Sequence, residues 1–102
     1  MDVEIVNATG QHRFEAHLGD RVAAVVAYRD TGRVRELIHT QVDAEFEGQG
    51  VASALARGAL DELRAEGLLV RPTCPYVTGW IKRHAEYLDM VEPQAKPLVT
   101  SA

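Results

Sequence analysis

The stretch Val34-Arg35-Glu36-Leu37-Ile38-His39-Thr40-Gln41-Val42-Asp43-Ala44-Glu45-Phe46-Glu47-Gly48-Gln49-Gly50-Val51-Ala52-Ser53 decides the fold, because the hydrophobic period changes inside it. Residues 34–42 are rich in β-branched and apolar side chains and read as a strand. Beyond the glycines, Ala52, Leu55, Ala56, Ala59, Leu60 and Leu63 recur at helical spacing, while Arg57, Asp61, Glu62 and Arg64 fall on the opposite side. This is an amphipathic helix from about Gly50 to about Glu66, with Gly67 placed for a left-handed C-terminal cap.

Upstream, Phe14, Ala16 and Leu18 alternate with Arg13, Glu15 and His17, the period-two pattern of a half-buried strand. Gly19-Asp20 and Asp30-Thr31-Gly32 punctuate the chain on either side of the apolar run Val22 to Tyr28. The result is an antiparallel meander, begun by a short strand around Val3 to Val6. Downstream, Leu68 to Val70 is a short strand separated from residues 34–42 by the helix, so the two pair in parallel and the sheet is mixed. Pro75 suits the first turn of a second helix, whose Val77, Trp80, Ile81 and His84 share one face. Residues 85–91 close the fold. The expected organisation is one α/β (α+β) domain over residues 1–92: a mixed, mostly antiparallel sheet with a central helix and a second, C-terminal helix. Two prolines and a polar end make residues 93–102 a flexible tail.

With 102 residues, 46% hydrophobic and 25% charged, the chain has ordinary globular usage and enough length for one modest core. Eleven Lys and Arg against 15 acidic residues give a net charge of -4, which leaves no basic field to hold a nucleic-acid backbone. No apolar run approaches the roughly 20 residues that span a bilayer, and Met1-Asp2-Val3-Glu4 lacks the positive start of a secretory signal, so a cytoplasmic protein without a membrane partner is expected. Cys74 is the single cysteine, which excludes an internal disulfide and argues against structural zinc. The expected assembly is a monomer or weak homodimer.

Glu47-Gly48-Gln49-Gly50-Val51-Ala52 joins a strand to a helix, and its glycines let the backbone curl and approach a ligand. The first N–H groups of a helix have no carbonyl partners, so with the helix dipole they form a seat for a phosphate. The same loop would also serve as a turn alone. No G-x-G-x-x-G occurs and no Gly-Lys-Ser/Thr follows, so neither a dinucleotide fingerprint nor a triphosphate P-loop is present.

Strand, loop and helix together resemble the acyl-CoA-binding core of the GCN5-related N-acetyltransferases (GNAT), with their Q/R-x-x-G-x-G/A pattern. The match is Glu47-x-x-Gly50-x-Ala52, with Glu47 in place of the usual Gln or Arg. His39-Thr40 to Val42, Glu47-Gly48-Gln49-Gly50, Cys74-Pro75-Tyr76-Val77 and Arg83-His84-x-Glu86-Tyr87 are similar to the small single-domain subgroup, in which an E-G-x-G loop is usual. The resemblance implies a truncated GNAT fold and binding of coenzyme A or acetyl-CoA by Val42, Glu47, Gly48, Gln49, Gly50, Val51, Ala52 and Ser53. It also implies transfer of an acyl group to an exposed amine such as a protein or peptide lysine or a polyamine. A non-catalytic CoA-binding module or sensor is the alternative.

Acyl transfer needs a deprotonated amine, a polarised thioester carbonyl and a proton for the leaving thiolate. His39, near the end of its strand, is a candidate base, or a strand histidine that packs or meets solvent. Cys74 precedes Pro75 at a helix N-terminus, where a thiolate is stabilised, and is a candidate nucleophile activated by His39 or a proton donor; it would otherwise pack as a small hydrophobe. The subgroup's suspected catalytic residues match these two positions. A free backbone N–H between Thr40 and Val42 would polarise the carbonyl. Lys82 and Arg83 are candidate phosphate contacts or a solvated face. Tyr87 is an alternative proton donor or a core residue, and Trp80 reads as packing.

Overall fold

The computed structural model describes residues 2–100. Its sheet has five strands in chain order: β1 (Glu4–Ala8), β2 (Arg13–Leu18), β3 (Arg21–Thr31), β4 (Val34–Val42) and β5 (Leu69–Pro72). The first four form the antiparallel meander that the turn residues predict, and β5 returns parallel to β4 from Val34↔Leu69 to Leu37↔Pro72. A parallel return needs a crossover, which α1 (Val51–Glu66) supplies. Gly67 caps it with φ of 73°, and the N–H groups of Gly67 and Leu68 close back on the carbonyls of Arg64 and Leu63. Among the described residues, no helix is long and apolar enough to cross a membrane.

The core lies between one face of the sheet and α1 with α2 (Pro75–Arg83). Phe14, Ala16, Val26 and Leu37 come from the strands, Leu55, Ala59, Leu60 and Leu63 from α1, and Val77, Trp80 and Ile81 from α2. Each fully buried leucine contributes about 2 kcal/mol from removal of its side chain from water.

A bulge in β4 determines which of its side chains join that core. The pairing steps from Ala27↔His39 to Tyr28↔Leu37, leaving Ile38 as a surplus residue. Partners across a ladder share a face. Leu37, Thr40 (opposite Val26) and Val42 (opposite Ala24) therefore point to the core side, whereas His39 (opposite Ala27) and Gln41 (opposite Val25) point away from it.

The C-terminal stretch corrects the expected loose tail. A 3-10 helix at Ala85–Met90 leads to a single parallel bridge between Val91 and Val70, and then Pro93–Ala95 and α3 (Lys96–Thr100) are helical. Ala95 and Val99 are buried, Glu92 pairs with Arg71, and Lys96 Nζ donates to the Leu88 carbonyl at 2.8 Å. Pro93 and Pro97 sit in the first turns of their helical segments, where a missing N–H costs nothing, so residues that read as breakers are starters. Residues 101 and 102 of the expected tail lie outside the described residues.

Candidate active site

β4 and β5 separate after Leu37 and Pro72. The Cys74 N–H still reaches the Leu37 carbonyl at 2.9 Å, and beyond it β4 continues from Ile38 to Val42 with no β5 partner. The Asp43 N–H donates to the Ala23 carbonyl, so Gln41 and His39 also turn their backbone groups toward β3. By alternation, the N–H and carbonyl groups of Thr40 and Val42 face the gap. Residues 38–42 thus present backbone N–H groups without a strand partner along the gap.

The gap opens on a cavity of about 240 Å³ formed by Val42, the loop residues Phe46, Glu47, Gly48 and Gly50, the first turn Val51, Ala52 and Ser53, and Tyr76 of α2. Gly48 and Gly50 have φ of 78° and 79°, where a side chain would be strained, and a Cβ on either would meet nothing within 4 Å. The backbone therefore requires glycine here, and the space over it is clear. No side chain caps α1, so the N–H groups of Val51, Ala52 and Ser53 end the helix unpaired beside the cavity. The helix dipole places roughly half a positive charge at the same point. This donor set fits a diphosphate, and no lysine or arginine is among the lining residues.

Cys74 is the N-cap residue of α2, directly before Pro75, and is buried. Its Sγ lies 3.1 Å from Thr40 Oγ1. His39 is one residue along the same strand and exposed on the opposite face, so the expected direct activation of Cys74 by His39 is not formed. Cys74 and Thr40 flank the core side of the gap, and His39 stands on the far side.

A seam of polar and aromatic groups ties α1 to the C-terminal segment. Trp80 Nε1 donates to Ser53 Oγ at 2.8 Å, with the His84 ring stacked on the indole at 3.7 Å and the Arg57 guanidinium 5.2 Å from its centre. Tyr87 is buried, donates its hydroxyl to Asp61 and accepts from Arg57; burial, then the Asp61 bond, push its phenol above the ordinary range. Asp61 lies ten residues into α1 from Val51, about 15 Å along the axis, which removes Tyr87 from the gap and leaves it in the core.

Residues 13–90 match the family described as GCN5-related N-acetyl-transferase. This chain belongs to the GCN5-related N-acetyltransferase family. It is similar to Protein NATD1 of Mus musculus, 36% identical over 73 residues that cover 69% of this chain and 66% of that protein. Protein NATD1 of Danio rerio is 32% identical over 76 residues, covering 72% and 69%. The chain spans about two thirds of the length of the curated relatives it matches. A solution structure of a GCN5-like protein from Staphylococcus aureus shares the fold, with a TM-score of 0.66, 23% identity and 87% of each chain covered.

Against the family motif, Val42, Glu47, Gly48, Gly50, Val51, Ala52 and Ser53 meet at one cavity. Gln49 turns its side-chain amide to the Glu45 carbonyl at 3.2 Å. Lys82 and Arg83 do not line the cavity; both are exposed at the far end of α2, although Arg83 folds back over Gly79, on the strip that leads to Tyr76. Three side chains to which the sequence alone assigns no role help build the site: Phe46 and Tyr76 as walls, and Thr40 as the partner of Cys74. Phe46 stands between Glu45 and Glu47 directly before the glycine loop, and Tyr76 lies within the quoted Cys74-Pro75-Tyr76-Val77 run, so both had a usable signal. The sequence marks Thr40 only for its backbone N–H, because the direction of its side chain depends on the bulge.

Proposed function

We propose that this member of the family is an N-acetyltransferase that takes acetyl-CoA as donor and an exposed amine, a protein or peptide lysine or a polyamine, as acceptor. The reading rests on one observation: the uncapped first turn of α1, its cavity and the free N–H groups of Thr40 and Val42 adjoin one another along the opening between β4 and β5. The N–H groups of Val51, Ala52 and Ser53 hold the diphosphate, and those of Thr40 and Val42 bond the arm and acyl carbonyl lying in the gap. Acetyl-CoA supplies an acyl group already activated as a thioester.

The chain's own groups then move protons. His39, on the face away from the helices, takes a proton from the attacking amine as its nitrogen bonds to the acyl carbon. The carbon–sulfur bond breaks, and Cys74, on the helix side beside Thr40, gives its thiol proton to the departing thiolate. With base and thiol on opposite faces, direct transfer in a ternary complex is favoured over an acyl-Cys74 relay.

The second reading, a CoA-binding module without turnover, is favoured by the burial of Cys74 and its separation from His39. Incubation with acetyl-CoA and spermidine or a lysine peptide separates the two: release of free CoA thiol, slowed by His39→Gln with CoA affinity intact, supports the enzyme. Binding without release supports the module. Absence of CoA binding, read by calorimetry and melting, rejects both.

A further inference from the structure

Trp80 is fully buried and carries the only tryptophan indole in the chain. An indole N–H donates and never accepts. Its 2.8 Å bond to Ser53 therefore fixes Ser53 Oγ as the acceptor, which leaves the serine's own hydrogen to be donated elsewhere. Among the described residues no acceptor takes that hydrogen, and Ser53 lines the cavity in the first turn of α1, beside the unpaired N–H groups. The indole itself has little freedom, since His84 stacks within 12° of its plane and Arg57 stands over the ring. His84 is tied in turn by a 2.7 Å bond between Nδ1 and the Trp80 carbonyl.

We infer that Trp80 is a positioning residue for anion binding: its N–H orients the Ser53 hydroxyl as a further donor to the diphosphate held at the α1 N-terminus. This deepens the CoA-binding reading above and rests on it. The role explains why a tryptophan, rather than another large apolar residue, occupies a packed helix seam one layer behind the cavity. Phenylalanine would fill much of the space but would leave the serine hydroxyl free to turn.

The test is calorimetric titration with CoA of the wild type, Ser53→Ala, Trp80→Phe and the double variant, with apo melting curves recorded for each. Loss of one hydrogen bond to a charged phosphate weakens binding about tenfold for Ser53→Ala. Trp80→Phe, which loosens the hydroxyl without removing it, weakens binding about threefold, and the double variant matches Ser53→Ala alone, because Trp80 acts only through Ser53. A double variant weaker than Ser53→Ala by the full Trp80→Phe factor overturns the inference in favour of packing. So does unchanged affinity in Ser53→Ala. Failure of the wild type to bind CoA is a distinct result that rejects the functional reading itself. If Trp80→Phe does not fold, benzothienylalanine at position 80, which keeps the ring shape and lacks the N–H, takes its place with the same expected pattern.

Discussion

Gly58→Ala sets two opposing effects against each other in the middle of α1. In an open helix the change would stabilise by about 1 kcal/mol, because alanine loses less backbone freedom than glycine. Here an added Cβ would lie 2.4 Å from Ile5 Cγ1 and 2.9 Å from Ile5 Cβ, across the contact between helix and β1. Carbon atoms are comfortable at about 3.5–4.0 Å, so the overlap exceeds what small shifts absorb. Turning the Ile5 side chain moves Cγ1 but leaves Cβ in place, so α1 and β1 must move apart. Overpacking of this kind costs about 1–3 kcal/mol, and subtraction of the propensity gain leaves a net loss of about 1 kcal/mol. For a domain of this size the melting temperature should fall by about 4–8 °C. Thermal and urea unfolding followed by circular dichroism measure it. In an Ile5→Ala background the same substitution should cost less, since Cγ1 and Cγ2 are gone, but the 2.9 Å approach of the remaining Cβ should keep part of the penalty. A Gly58→Ala protein that melts above the wild type would refute the argument, because the helix would then have room that the contact distances deny.

The other expectations use different handles. Gly50→Ala, at φ of 79° with open space around it, should lower apo stability by about 1 kcal/mol and weaken CoA binding, whereas Gly50→Asn, which tolerates left-handed backbone, should lose less on both counts; equal losses would sink the conformational explanation. Cys74→Ser should slow release of the CoA thiol while CoA affinity stays within about twofold, and intact mass after acetyl-CoA should show no stable acyl adduct on the wild type; an adduct that vanishes in Cys74→Ser would revive the acyl-cysteine relay. The Glu15 carboxyl is held below the glutamate range by the hydrogen bond from His17 and then by Arg13. A lowered folded value means that this stabilisation is complete above the unfolded value near 4.5 and fades as pH falls through the folded one, so melting curves between pH 7 and 3 should drop less steeply for Glu15→Gln. Removal of residues 93–102 should destabilise the fold by more than 1 kcal/mol by uncovering the surface that Ala95 and Val99 bury; a truncated chain that melts like the full one would show that α3 adds nothing.

The meander, the crossover helix and its glycine ends were legible because each depends on local pattern: period two in Phe14 to Leu18, the helical stripe from Ala52 to Leu63, and Gly67 at the cap. The uncapped start of the helix was legible for the same reason, since it needs only Gly48 and Gly50 before it. The pairing of Cys74 was not. Counting by twos along β4 from Leu37 places His39 on the helix side, and only the cross-strand register shows otherwise. The C-terminal segment was misread because proline has two meanings, and the buried partners of Ala95 and Val99 are distant in sequence.

Ile38 gives β4 one letter more than its pairing spells. The strand thus has two reading frames, one that packs Leu37 into the core and a second that sends Thr40 inward and His39 outward. Loss of Ile38 alone would close the surplus and keep both frames, so a deletion there should be far gentler than one at Gln41, which would invert the downstream sense. Ironing the bulge flat without deletion would do the reverse and bring the imidazole round to the thiol. The spacing between the His39 imidazole and the Cys74 sulfur in this protein is written by a single surplus residue, not by the identity of either group.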